Sequence, residues 1–297
     1  MPRVDVNGVG IEYETFGDPD NPVLILISGG GAQMTFWQEE FCQRLAAKGF
    51  QVVRFDNRDA GVSTSFDEYG FPDVPAVRDG RVAPPYTLDD MAADTIGLVD
   101  ALGAKAAHVV GISLGGYITQ VMAINHPDRV LSFVSMASGV GGPDNIYGNY
   151  EYAIHGMPED DAGRPKTMEE QIELRLDEIE WMSTPQYFDR DRIRPHIARS
   201  MARNQNPDGV ERQAAAVHAG PSRAPALANV RVPALVLHGA LDPHLPVENA
   251  HRTAAAIPGS KLVILPDLAH DMPAQKWDEI IDIITEHATA AGAAARS

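Results

Sequence analysis

The stretch Gly111-Ile112-Ser113-Leu114-Gly115 is the most informative in this chain, because it fits the pattern G-x-S-x-G. An apolar run over residues 106–110 precedes it, and a helix-like segment over residues 116–123 follows it. The order strand, sharp turn, helix favours a serine that is held out at the carboxyl edge of a sheet. Glycines suit such a turn, because its backbone is strained and the helix packs closely on the strand. We therefore predict that Ser113 is a nucleophile; the alternative is a glycine-rich turn with an inert serine.

A serine nucleophile needs a base, and the base needs an acid that orients it. Where a serine stands at such a turn, the acid and then the histidine follow it along the chain. Ala234–Gly239 predicts a buried strand with Asp242 just after it, and Lys261–Leu265 predicts another strand whose following loop contains His270. Parallel strands would bring both residues to the edge that holds Ser113. We predict that His270 is the base and that Asp242 orients it.

Ten histidines compete for the role of base. His244 is the serious rival, since it stands two residues past Asp242, but it precedes the last predicted strand whereas His270 follows it. The others fall in predicted strands, in predicted helices or in a helical insert: His108, His126, His155, His196, His218, His238, His251 and His287.

The acid has alternatives as well. Asp267 lies in the same loop as His270, too close along the chain to be the obvious orienting partner. The strand predicted over residues 130–137 leads into Ser138-Gly139 and offers no acid. Asp242 remains the favoured residue.

Acyl transfer also requires donors for the developing oxyanion. The backbone N–H of Leu114, next to the serine, is one candidate. The loop Ser28-Gly29-Gly30-Gly31 follows a predicted strand over Val23–Ile27 and brings backbone close to a substrate without side chains in the way. We predict Gly30 as the second donor, with Gly31 as the alternative. A phosphate-binding P-loop is excluded, because no Lys-Ser or Lys-Thr pair follows the glycines.

With these residues in place, the chain resembles the α/β-hydrolase superfamily over about residues 10–138 and 230–288. Three further stretches support the likeness, at residues 54–63, 238–243 and 268–270. The resemblance implies a mostly parallel sheet with helices on both faces.

Two departures narrow the resemblance. Ser28-Gly29 stands where the superfamily often has His-Gly, and Asp59 stands where many members have glycine. Both features are similar to the aclacinomycin methylesterase group, whose members have a Gly-Gly oxyanion loop and an Asp-x-Arg-Asp-x-Gly turn. A carboxylic methyl ester is the substrate that this narrower resemblance implies.

Length and patterning predict one α/β core with an insertion. At 297 residues the chain can bury about three quarters of its unfolded surface. Strands alternate with helical segments in the flanks, where Thr87 predicts the start of a helix that runs to about Leu102. We assign residues 1–138 and 226–297 to the α/β-hydrolase core.

Residues 139–225 differ, because they contain no convincing apolar strand. Helices are predicted over Met168–Met182, over residues 185–204 and over residues 208–219, and a long loop is predicted outside the insert at residues 66–85. We predict that 139–225 is a helical cap, or lid, over the serine. Its large side chains are candidates for a substrate pocket: Tyr147, Tyr150, Tyr152, Trp181, Met182, Tyr187 and Phe188.

The formal net charge of −17, from 24 basic and 41 acidic residues, argues against a nucleic-acid partner. The single cysteine, Cys42, cannot form an internal disulfide. We see no signal-peptide pattern and no apolar run long enough to cross a bilayer, so we expect a soluble cytoplasmic protein without a membrane partner. No cluster has zinc-ligand spacing and no Rossmann spacing is present, so we expect neither a metal nor an organic cofactor.

Together these residues predict a serine hydrolase that cleaves a small-molecule carboxylic ester with water. A dehalogenase or an epoxide hydrolase of this fold would present aspartate in place of Ser113. The alternatives within enzymes are hydrolysis of a lactone, a C–C bond or an amino-terminal peptide bond, and cofactor-free perhydrolysis. From another class, the chain could be a ligand receptor on the same fold; steady-state turnover of short esters separates the two.

Overall fold

The computed structural model describes residues 2–148 and 167–294. One sheet dominates it, with the strand order β1-β2-β4-β3-β5-β6-β7-β8. The pairs β1/β2 and β2/β4 are antiparallel and every other pair is parallel. The strands are β1 (Arg3–Val6), β2 (Val9–Phe16), β3 (Val23–Ile27), β4 (Gln51–Phe55), β5 (Ala107–Ile112), β6 (Val130–Met136), β7 (Ala234–Gly239) and β8 (Lys261–Leu265).

Ten α-helices accompany the sheet in the described residues. They are α1 (Glu39–Ala46), α2 (Val74–Arg78), α3 (Leu88–Ala101), α4 (Leu114–Asn125), α5 (Met168–Met182), α6 (Arg190–Arg203), α7 (Pro207–His218), α8 (Ala224–Leu227), α9 (Glu248–Ala256) and α10 (Trp277–Ala294). The α/β-hydrolase architecture predicted from the sequence is confirmed. None of these helices is both long and apolar enough to span a bilayer.

The central strands are buried on both faces, which explains their continuous apolar sequences. In β3, Ile25 packs in the layer formed with α3 and α4, whereas Leu24 and Leu26 pack in the opposite layer with α1 and α10. Every residue of β3, β5 and β7 is buried. The two apolar layers thus fix the carboxyl ends of β3, β5, β7 and β8 along one edge of the sheet, where the loops with the predicted site residues begin.

Two local predictions are wrong. The helix predicted to start at residue 185 starts at Arg190, because residues 184–188 form a turn in which the N–H of Tyr187 bonds the carbonyl of Thr184. Asp189 then caps α6 by accepting from the N–H of Arg192. The predicted loop at residues 66–85 contains α2, which Asp73 caps through the N–H of Ala76.

The chain between β6 and β7 holds α5, α6, α7 and α8. Residues 139–225, the range predicted from the sequence, are here called the insert. A small apolar cluster of Ile172, Leu176 and Ile197 joins α5 to α6. Tyr150 and Tyr152 lie outside the described residues.

Candidate active site

Ser113 stands in a strained turn between β5 and α4. Its φ is 55° and its ψ is −115°, a conformation that a non-glycine residue rarely adopts. A side chain at Gly111 would place its Cβ 2.0 Å from the carbonyl oxygen of Gly115, and one at Gly115 would meet the carbonyl oxygen of Ile27 at 2.2 Å. The two glycines therefore allow the close strand–helix packing that carries the serine at the sheet edge.

The loop after β3 approaches this serine. The N–H of Ala32 donates to the carbonyl of Gly29 at 3.2 Å, and Gly31 has a φ of 66°, which together are typical of a type II turn. A Cβ on Gly29 would lie 3.4 Å from Ser113 Cβ and 4.0 Å from Ser113 Oγ. Residues 29–32, here called the glycine turn, therefore lie beside the serine hydroxyl.

The two candidate donors in the glycine turn differ. The N–H of Gly31 donates to Gln213 Oε1 at 2.8 Å, so Gly31 is already occupied. The described contacts give the N–H of Gly30 no acceptor among residues 2–148 and 167–294. Leu114 opens α4, where the first N–H groups lack an acceptor within the helix. These observations favour Gly30 over Gly31 as a candidate donor, and Leu114 stays the other candidate.

Asp242 and His270 form a hydrogen-bonded pair. His270 Nδ1 donates to Asp242 Oδ2 at 2.7 Å, and both side chains are almost fully buried. Asp242 Oδ1 accepts from the N–H groups of His244 at 2.9 Å and Leu245 at 2.8 Å. Burial by itself would raise the pKa of the Asp242 carboxyl, but the neighbouring histidines outweigh it and hold that pKa well below its usual range. The carboxyl is therefore ionised at neutral pH.

His238 is a further neighbour of this acid, and sequence reasoning assigned it no role beyond the end of a strand. Its Nε2 donates to the carbonyl of Leu245 at 2.7 Å and lies 3.3 Å from Asp242 Oδ2. The only signal in the sequence is a histidine at the buried end of β7, four residues before the acid.

The rival histidine, His244, packs its ring against that of His270. The ring centroids of His244 and His270 are 4.9 Å apart, nearly perpendicular, and Trp181 of the insert contacts His244 from 6.2 Å. Burial, followed by the nearby His270, lowers the pKa of His244 to about 4. His244 is therefore neutral near pH 7. The ring of His270 bonds Asp242 Oδ2, whereas His244 bonds Asp242 through its backbone N–H.

The rival acid, Asp267, has other partners. Its Oδ2 accepts from the Tyr187 hydroxyl at 2.7 Å, and its Oδ1 pairs with Lys276 Nζ at 2.7 Å. Of the aromatic residues predicted for a pocket, Trp181 contacts the ring of His244, which lies beside His270, whereas the hydroxyl of Tyr187 bonds Asp267. Tyr147 contacts the ring of His218.

The insert also holds the loop after β8 that contains His270, here called the histidine loop, through the backbone of that loop. The N–H of His270 donates to the carbonyl of Met182 at 3.0 Å, and the N–H of Ala269 donates to Thr184 Oγ1 at 2.9 Å. The Thr184 hydroxyl in turn donates to Asp271 Oδ1 at 2.7 Å. The position of the imidazole thus depends on the insert as well as on β8.

Two further observations concern metal-ligating and thiol side chains in the described part of the chain. No group of three or more histidine, cysteine, aspartate or glutamate side chains there is arranged to hold a metal ion. Burial raises the pKa of the Cys42 thiol to about 12, so it is not a reactive thiolate.

Comparison with known proteins identifies the family. The family description "alpha/beta hydrolase fold" matches residues 22–276. The chain belongs to the α/β-hydrolase family. Its relatives within that family include the rhodomycin D methylesterase DnrP of Streptomyces peucetius, 30% identical over 302 aligned residues, and DauP of Streptomyces sp. (strain C5), 29% identical; each comparison covers 94% of both proteins. The resemblance to the aclacinomycin methylesterase group is confirmed at this level.

Solved structures in the α/β-hydrolase family share the architecture. The enol-lactonase of Burkholderia xenovorans LB400 superposes with a TM-score of 0.75 at 22% identity, covering 97% of this chain and all of that one. A meta-cleavage product hydrolase of Pseudomonas fluorescens superposes with the same TM-score at 18% identity, covering 98% of each chain. At these identities the likeness describes the fold only.

Proposed function

We propose that the protein is a serine hydrolase that cleaves the methyl ester of a bulky carboxylic acid through an acyl-enzyme. The observation that carries the proposal is the 2.7 Å bond between His270 Nδ1 and Asp242 Oδ2, at the sheet edge that presents Ser113 in its strained turn. This arrangement leaves His270 Nε2 as the nitrogen that exchanges a proton with the serine.

In the first half of the reaction, Ser113 Oγ attacks the ester carbonyl carbon while its proton passes to His270 Nε2. The oxyanion accepts hydrogen bonds from the N–H groups of Gly30 and Leu114. When the tetrahedral intermediate collapses, the carbon–oxygen bond to the alcohol breaks and His270 gives its proton to the departing methoxide. Methanol leaves, and the acyl group remains on Ser113.

In the second half, water attacks the acyl carbon and His270 accepts its proton. Collapse of this intermediate returns the proton to Ser113 Oγ and releases the carboxylic acid. Asp242 stays ionised throughout and stabilises the imidazolium, which is consistent with its depressed pKa. The reaction needs only the ester and water, with no metal ion or organic cofactor.

The methyl ester is proposed from the relatives. Two proteins named rhodomycin D methylesterase are 29% and 30% identical to this chain over 94% of its length. We further propose that residues 139–225 form a cap that selects the acid portion of the ester. The contacts of the insert with His270 and of Trp181 with His244 support this role.

The test is a substrate panel of methyl esters of small and bulky acids, p-nitrophenyl esters, lactones and amides. Steady-state turnover is measured for the wild type and for Ser113→Ala. We expect turnover of methyl esters, with bulky acids among the good substrates, and loss of that turnover in Ser113→Ala. Turnover of lactones or amides with failure on every methyl ester would overturn the substrate assignment, and full activity of Ser113→Ala would overturn the mechanism.

A further inference from the structure

We infer that Gln213, a residue of the insert, positions the oxyanion-binding turn. The inference rests on the proposed serine mechanism, in which Gly30 donates to the oxyanion. Gln213 does not touch the reacting atoms in this account. It acts through the glycine turn, and its side chain is 1% exposed.

Both ends of the Gln213 amide are occupied by core backbone. Its Oε1 accepts from the N–H of Gly31 at 2.8 Å, and its Nε2 donates to the carbonyl oxygen of Arg58 at 2.7 Å. A backbone N–H can only donate and a carbonyl can only accept, so this pair of partners defines the orientation of the amide. A glutamine side chain satisfies both requirements at once.

The bond to Gly31 fixes the orientation of the peptide between Gly30 and Gly31, which could otherwise rotate readily. In a type II turn the central peptide is the one between the second and third residues, here Gly30 and Gly31, and its reversal converts the turn to type I. Glycines at both positions leave little steric resistance to that reversal. The outer bond from Ala32 to Gly29 closes the turn but does not select one orientation of the central peptide. Gln213 supplies that selection.

The helix that carries Gln213 is anchored next to it. Arg212 forms a bidentate pair with Asp59, with Nε to Oδ2 at 2.9 Å and Nη2 to Oδ1 at 2.8 Å, and both side chains are fully buried. The same carboxylate accepts from the Tyr86 hydroxyl at 2.8 Å. Gln213 therefore extends to the glycine turn from a fixed point. The Gly30 N–H lies in the adjoining peptide, between Gly29 and Gly30. Loss of Gln213 should therefore act on it through the freed backbone of Gly30 and move it out of the 2.7–3.1 Å range in which an oxyanion donor is effective.

The test compares Gln213→Met, which removes both bonds at similar side-chain length, with the wild type. We expect kcat to fall about tenfold to a hundredfold, less than the 10²–10³ that follows complete removal of an oxyanion donor. We expect KM to change little, because the displaced donor acts on the transition state. The affinity for a boronic acid inhibitor, which forms a tetrahedral adduct with the serine, should fall by the same factor as kcat.

Gln213→Glu is the second variant, for the case in which Gln213→Met does not fold. Its carboxylate faces the Arg58 carbonyl, acceptor against acceptor, and this repulsion should displace the side chain and weaken its bond to Gly31. It too should therefore lower kcat and boronic acid affinity together. The matched control is Gln205→Met, an exposed glutamine of the insert whose Nε2 contacts Met168 Sδ at 3.3 Å. It should keep the wild-type kcat and inhibitor affinity.

Wild-type kcat and boronic acid affinity in a folded Gln213 variant would overturn the inference. So would a change in KM with an unchanged kcat, which would mean that Gln213 only shapes the pocket. Failure of the mechanism itself gives a different result, because Ser113→Ala would then remain active. If Ser113→Ala is inactive and the Gln213 variants are not impaired, only the positioning role is wrong.

Discussion

The sheet core and the insert differ in the balance of apolar and polar contacts that hold them in place. Two apolar layers, on opposite faces of the sheet, hold the core together. The described part of the insert has one small apolar cluster of its own, around Leu176, and adds Val140 and Ala216 to one of the core layers. Against the core it makes directional polar contacts, including Arg212 with Asp59, Arg203 with Asp56 at 2.7 Å, and Gln33 Nε2 with the carbonyl of Ser200 at 2.7 Å.

The difference has a consequence for catalysis. Hydrophobic burial is non-directional. It stabilises the sheet and so holds the strand ends at one edge, but it does not orient individual hydrogen-bonding groups. Buried polar contacts require a defined geometry, and they reach the glycine turn through Gln213 and the histidine loop through Thr184. In this account the core supplies the reacting groups, and the insert adjusts and encloses them.

The largest expected effect follows from changing a reacting group of the core. Asp242→Asn should retain the fold and lower kcat about ten-thousandfold, because the imidazole would then favour the wrong tautomer. Steady-state kinetics on a methyl ester measures the loss, with circular dichroism as the check on folding. The matched control is Asp267→Asn, in the same region but bonded to Tyr187 and Lys276, which should keep most of the activity. A larger loss in the control would mean that the acid has been assigned to the wrong residue.

The next effect concerns the anchoring of the insert. Arg212→Met leaves the buried Asp59 charge without its partner and should lower the free energy of unfolding by about 3–5 kcal/mol. The double variant Asp59→Asn/Arg212→Met removes both charges and should recover part of that loss. Urea unfolding measures all three proteins. Arg190→Met, which breaks the exposed pairs with Glu173 and Asp177, is the control and should change stability by less than about 1 kcal/mol. Equal losses at the buried and exposed sites would contradict the comparison of core and insert.

A smaller effect concerns substrate selection by the insert. Trp181→Ala removes a ring that contacts His244 beside the base. It should change the ratio of kcat/KM between bulky and small esters by about 1–3 kcal/mol, or roughly tenfold to two-hundredfold. Tyr187→Ala truncates an aromatic residue of the insert whose hydroxyl bonds Asp267, so the ratio of kcat/KM between bulky and small esters should change less in this variant. The sequence alone made Trp181 and Tyr187 equal candidates for a substrate pocket. An unchanged ratio in Trp181→Ala would remove the insert from substrate selection.

The smallest effect, expressed per pH unit, concerns the pH dependence of stability in the core alone. Burial, then the charge of His287, lowers the pKa of His108 from 6.5 to about 4. Below pH 6.5 the unfolded imidazole binds a proton that the folded one does not, so stability falls as the pH drops from 6.5 toward 4. His108→Gln should reduce that slope by up to about 1.4 kcal/mol per pH unit, measured from urea unfolding at several pH values. His251→Gln, on the exposed side of α9, is the control for replacing a histidine at the surface.

The sequence predicts the core well, because its signals are local. The bounds predicted for β3, β7 and β8 agree with the structure, since each strand is a short apolar run that a turn interrupts. Thr87 caps α3 as predicted, in a reciprocal capping box with Asp90. The order of the residues Ser113, Asp242 and His270 in the chain, together with parallel strands, also placed all three at one edge.

The parts that the sequence did not predict depend on contacts between distant residues. Arg212 and Asp59 are separated by 153 positions and Gln213 and Gly31 by 182, and neither pair has a local pattern that announces it. Polar contacts of this kind have no periodicity from which they could be read. The contact of His238 with Asp242 and the late start of α6 at Arg190 are local instead, since four positions separate the first pair and a turn over residues 184–188 precedes the helix.

The most direct test of the account is covalent labelling of the nucleophile. The protein is treated with a serine-directed organophosphonate ester, and the adduct is located by peptide mass spectrometry while ester turnover is followed. The account predicts one adduct, on Ser113, which forms in parallel with the loss of activity, and no adduct in Ser113→Ala. An adduct on another residue, or full turnover after Ser113 has been labelled, would contradict the claim that Ser113 carries the acyl group.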